Sequence, residues 1–91
     1  MLNLNNKKIL IIRFSSLGDI LLTTPILRSL KKMYPTCNID YLVKAENKET
    51  ILYNPYINDI LLFNKNDNLT QLKETIKSKN YDYIFDLHNN L

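Results

Sequence analysis

The stretch Ile9-Leu10-Ile11-Ile12-Arg13-Phe14-Ser15-Ser16-Leu17-Gly18-Asp19 decides the fold of this chain. Its first four residues are apolar without alternation, the pattern of a strand buried on both faces, as parallel strands are. Arg13 ends that run. A short polar turn, Phe14 to Gly18, follows, and Asp19 then opens an amphipathic helix. In open parallel α/β sheets, ligands bind where strands end and helices begin. The turn therefore presents hydroxyls, backbone N–H groups, one cation and one carboxylate at the edge where such folds do their chemistry.

Outward from this turn the chain alternates strands and helices. The first strand is expected over Lys8 to Arg13 and the first helix over Asp19 to Tyr34. Ile20, Leu21, Ile26, Leu27, Leu30 and Met33 recur close to helical spacing, with Arg28, Lys31 and Lys32 on the other side. Lys31 and Lys32 fall in the last turn, where cations suit the helix dipole. Pro25 either kinks this helix or marks a restart capped by Thr24, and Pro35 ends it. A second strand, Asn38 to Val43, places Ile39, Tyr41 and Val43 on one face. A short helix over 45–53 is closed by Asn54-Pro55. A third strand covers Asp59 to Phe63. Asn68 caps a helix from Leu69 to Lys79 whose buried stripe is Leu69, Leu72 and Ile76. A fourth strand, Tyr81 to Leu87, runs into His88-Asn89-Asn90. The order βαβαβαβ predicts a right-handed, Rossmann-like parallel α/β sheet with helices on both faces.

The chain has 91 residues, 45% hydrophobic and 23% charged, which suits one small globular domain, 1–91, and argues against disorder. A net charge of +3 is small and dispersed, with no arginine-rich block, so nucleic acid is not an expected partner. Cys37 stands alone, which excludes an internal disulfide or cysteine zinc site and fits a reducing, cytoplasmic compartment. No apolar run is long enough to span a membrane, and Met1 to Lys8 is too polar for a signal peptide. The chain has a single glycine, Gly18. A dinucleotide fingerprint needs three glycines and a Walker loop two, so neither phosphate cradle exists here.

In the usual doubly wound order the first strand lies between the second and the fourth, and the crevice opens between strands 1 and 4. That placement gathers Ser15, Ser16, Asp19 and His88. A carboxylate at a helix N-terminus stays ionised and can take a proton from an attacking hydroxyl. It can equally do no more than complement the helix dipole, the commoner role of Asp there. Ser15 and Ser16 read as ligand donors or as a capping turn. Gly18 permits close ligand approach or positive φ, and a plain turn explains it as well. Arg13, Lys44 and His88 each end a strand. Together they form a cationic rim that favours an acidic ligand, although Lys44 alone is a solvated charge and His88 alone a loop histidine. Cys37 reads as a packed thiol.

The run Ile9 to Pro35, with Asn54-Pro55-Tyr56-Ile57 and Tyr81 to Leu91, resembles the N-terminus of the lipopolysaccharide heptosyltransferases of glycosyltransferase family 9. The resemblance extends from about Lys7 onward. It implies the partial N-terminal, acceptor-binding domain of a GT-B enzyme that inverts the sugar's anomeric centre without an obligatory metal. The donor substrate would be ADP-heptose, bound by a C-terminal domain that this chain lacks, and the acceptor the lipopolysaccharide inner core. No other cofactor is implied. Asp19 matches the catalytic base; Ser15, Ser16 and Gly18 match the acceptor-side turn; Arg13 takes the place of a basic residue there. By itself the fragment is expected to be inactive, cytoplasmic and at most peripheral to the cytosolic face of the inner membrane. The alternative is a non-catalytic α/β fragment or module that binds an acidic sugar or a partner chain.

Overall fold

β1 (Lys8–Ile12), β2 (Asn38–Lys44), β3 (Asp59–Phe63) and β4 (Tyr83–Asp86) form one parallel sheet of order β3-β2-β1-β4. The computed structural model describes residues 2–88. Two helices, α1 (Leu17–Met33) and α2 (Leu69–Ser78), and a 3-10 turn at Ala45–Thr50 supply the crossovers. Strand periodicity sorts the sheet's side chains between two cores. Ile9, Ile11, Ile39, Tyr41 and Val43 meet Ile20 and Leu27 of α1 on one face. Leu10, Ile12 and Leu42 meet Ile76 of α2 and Phe14 on the other. This is the expected Rossmann-like α/β architecture.

The structure departs from the sequence reading at several points, among them Leu69, which was expected in the buried stripe of α2 and is exposed at its first turn. α1 starts at Leu17, not Asp19, because Ser16 is the N-cap. Only the line Ile20, Thr23, Leu27 and Leu30 of α1 faces the sheet, with Leu30 partly buried. Leu21, Ile26 and Met33 are exposed, since apolar residues cover more of the helix circumference than one sheet face can bury. The helix also runs through Pro25 without the restart at Thr24. Pro25 has no N–H for the carbonyl of Leu21, and the Thr24 hydroxyl donates to that carbonyl instead, at 2.8 Å. The second crossover is a 3-10 turn ending at Thr50 rather than a helix reaching Tyr53. Its sequence, Ala-Glu-Asn-Lys-Glu-Thr, has no apolar stripe to bury.

β4 begins at Tyr83, two residues late. The Asp82 amide donates to the Lys8 carbonyl, but the Lys8 amide donates to the Asp82 carboxylate at 2.8 Å, so a side chain replaces the ladder there. Tyr81 is turned to the buried Asp40, donating its hydroxyl at 2.6 Å, while the Asn58 amide donates to the other carboxylate oxygen at 3.3 Å. Lys8 Nζ sits 4.9 Å above the Tyr81 ring.

Burial, the bond to Asp40 and the charges of Asp40 and Asp59 push the Tyr81 phenol far above its usual range. Burial likewise raises Tyr41. A raised folded-state value gives stability that is full below the ordinary tyrosine pKa of about 10 and is lost above it. Unfolding midpoints in urea should therefore hold level to about pH 10 and fall beyond it. Tyr81→Phe should flatten that fall. It should also cost about 1–3 kcal/mol at neutral pH, because Asp40 loses a donor where water cannot replace it. A Tyr81→Phe protein as stable as its parent at neutral pH would show that this bond contributes nothing.

Candidate functional site

The turn after β1 is held at both ends of one residue, Phe14. Its ring is buried, stacked on Phe63 at 5.2 Å and tilted against His88 at 5.1 Å. Its carbonyl accepts from the Lys44 amide at 3.3 Å and from Asn47 Nδ2 at 3.1 Å. The ends of β1, β2, β3 and β4 are thus tied together by a residue that the sequence reading passed over, along with Phe63 and Asn47. The signal was present: an aromatic residue directly after a strand in a polar turn is not placed there for solvent.

On this anchor the polar residues assemble around one oxygen. Asp19 is the third residue of α1, and its Oδ2 accepts from the Ser16 hydroxyl at 2.8 Å and the Ser16 amide at 3.4 Å. Arg13 Nη2 lies 2.9 Å from the same Oδ2, and Arg13 Nη1 donates to the Leu87 carbonyl at 2.6 Å. Asp19 Oδ1 carries no hydrogen bond among the described residues. Asp19 is half-exposed. The Ser16 hydrogen bonds, side chain and then backbone, and next the bond and charge of Arg13, lower its pKa below the usual 3.8. The carboxylate is therefore ionised at any physiological pH, with one oxygen restrained and one available.

The structure brings Arg13, Ser16 and Asp19 into direct contact and sets His88 beside them against Phe14. The Leu87 amide donates to the Ile12 carbonyl at 2.9 Å, which seats the β4 exit next to the turn. The His88 amide donates to Asp86 Oδ1 at 3.0 Å; His88 Nδ1 and Arg13 Nε are enclosed without a hydrogen bond among the described residues. Asn89 and Asn90, which follow His88 in the sequence, lie outside the described residues. Ser15 is half-buried and its hydroxyl makes no hydrogen bond among the described residues. Gly18 does not have positive φ, and a side chain there would meet nothing within 4 Å, so the space beside it is open. Lys44 is half-buried at the end of β2, without an ion pair among the described residues. The cationic rim is accordingly divided: Arg13 is neutralised by Asp19, and Lys44 is not. A shallow cavity of about 240 Å³ adjoins Lys44 and is lined by Ala45, Glu46, Phe63, Asn64 and Lys65.

No family model matches the chain. It is 35% identical over 78 residues to lipopolysaccharide heptosyltransferase 3 of Escherichia coli strain K12, covering 77% of this chain and 23% of that protein. A second Escherichia coli lipopolysaccharide heptosyltransferase 3 is 36% identical over 78 residues, with the same coverage. The crystal structure of a family 9 glycosyl transferase from Veillonella parvula DSM 2008 has the same fold. It superposes with a TM-score of 0.86 at 29% identity, covering 98% of this chain and 28% of that one. The chain thus resembles family 9 glycosyltransferases in sequence and in fold, and spans about a quarter of the length of these relatives.

Proposed function

We propose that this chain is the acceptor-side part of a family 9 glycosyltransferase, of GT-B architecture, that moves heptose from ADP-heptose to the lipopolysaccharide inner core. The observation that carries the reading is the half-tied Asp19 carboxylate at the ligand edge of the sheet. In the reaction, Asp19 Oδ1 takes the proton of an acceptor hydroxyl as that oxygen attacks the anomeric carbon. The bond to the ADP leaving group breaks on the opposite face, inverting the centre. An exposed aspartate is a weak resting base, so proton transfer follows the developing positive charge on the attacking oxygen. The open space at Gly18 would admit the acceptor, with the Ser15 hydroxyl and His88 as its expected donors. The donor nucleotide would be held by a further domain, on the cytosolic side of the inner membrane. No helix among the described residues is long and apolar enough to cross a membrane.

The full-length protein given ADP-heptose and a core acceptor lacking its heptose should release ADP. Binding of the acceptor without ADP release would leave a non-catalytic sugar-binding module. Lys44 carries a second expectation. As the rim cation with no ion pair among the described residues, it should meet an acidic group of the acceptor. Lys44→Gln should raise the acceptor KM and flatten its dependence on salt, because the screened attraction is gone. An unchanged KM across ionic strengths would make Lys44 a solvated charge.

A further inference from the structure

We infer that Arg13 is a positioning residue: it acts through Asp19, holding the base, and does not itself bind the acceptor. This rests on the reading of Asp19 as the base. A cation at the end of a buried strand must find an anion or solvent, and here both hydrogen-bonded ends of its fork are taken by the protein itself. One nitrogen lies 2.9 Å from Asp19 Oδ2, and the other donates at 2.6 Å to the carbonyl of Leu87. Arg13 therefore spans three separate pieces of chain: the β1 exit, the β4 exit and the first turn of α1. The Ser16 hydroxyl and amide approach Asp19 Oδ2 too. Every bond falls on one oxygen, so the carboxylate is clamped by Oδ2 and the reacting atom is Oδ1 by elimination. Ser16 lies in the same turn as Asp19 and moves with it, whereas Arg13 refers the carboxylate to the rigid sheet through Leu87. A planar fork with two aligned donors does this better than a lysine, whose ammonium is a point charge.

The kinetics of the full-length protein separate positioning from binding. Arg13→Met should lower kcat roughly ten- to a hundredfold, the scale of a misplaced reacting group, with acceptor KM nearly unchanged. The Asp19 carboxyl carbon resonance, identified by its loss in Asp19→Asn, should titrate higher in Arg13→Met, towards 3.8. Arg13→Lys should keep the charge and recover only part of kcat. In an Asp19→Asn background, Arg13→Met should add little, because its effect has no base left to act through. A raised acceptor KM with kcat intact, or an undiminished Arg13→Met effect without Asp19, would overturn the inference while leaving Asp19 as the base. Wild-type turnover in Asp19→Asn would instead overturn the underlying reading. Should Arg13→Met fail to fold, the Arg13→Lys titration and kcat decide the same question.

Discussion

Asp19→Ala in the full-length protein is expected to lower turnover by roughly two to four orders of magnitude, the usual contribution of a general base. Binding of the nucleotide sugar should survive, since the donor site would lie on another domain. Two roles coincide at Asp19 and must be separated. It caps the first turn of α1 through Ser16, and it offers Oδ1 as a base. Alanine removes both. Asparagine keeps the shape and an acceptor oxygen for the Ser16 amide and Arg13. If Asp19 were only a cap, Asp19→Asn would be active and Asp19→Ala partly so, with lower melting temperatures tracking the loss. If it is the base, both variants lose turnover alike and Asp19→Asn retains its melting temperature. Turnover near the parent's in Asp19→Asn would remove this residue from the mechanism.

Residues 1–91 expressed alone are expected to be marginally stable and to self-associate, without transferase activity. Among the described residues β4 is an outer strand of the sheet, paired with β1 on one side, so its other side is an edge that an extended chain can approach. Apolar surface flanks that edge on both faces. An apolar groove of about 180 Å³ is formed by Ile11, Ile26, Leu30, Phe85 and Leu87. Another, of about 380 Å³, lies over Ile12, Ile76 and Ile84, with Lys73 and Lys77 at its margin. Leu22 is 73% exposed on the neighbouring turn of α1. Contiguous apolar surface beside an open strand is the arrangement that soluble monomers avoid. Sedimentation should show a mass that rises with concentration. Ile84→Lys should shift the population back towards monomer, because a charge on the exposed face of an edge strand opposes pairing. A concentration-independent monomer with a high melting temperature would mean that this edge is already self-sufficient.

What the sequence by itself determined is whatever depends on neighbours along the chain. The unbroken apolar run before Arg13 specified a strand buried on both faces and hence a parallel sheet. Asn68 specified the start of α2, and its side chain does accept from the Thr70 amide at 2.8 Å. The turn Phe14 to Gly18 and Asp19 were legible as the junction between the first strand and the first helix, because such a junction is a local pattern with a known place in the fold. The tertiary structure alone decided the pairings across long stretches of chain. Arg13 was read as a cation facing a ligand, but its partners are a side chain six residues on and a carbonyl seventy-four residues on. Asp40 and Tyr81 meet across forty-one residues, and Phe14 reaches Phe63 and His88. The excess of apolar residues on α1 likewise left its buried face ambiguous until the sheet selected Ile20, Thr23 and Leu27. Periodicity records which residues share a face. Only packing determines which face is covered and which charge finds its counterion first, because those energies depend on distances that sequence spacing does not encode.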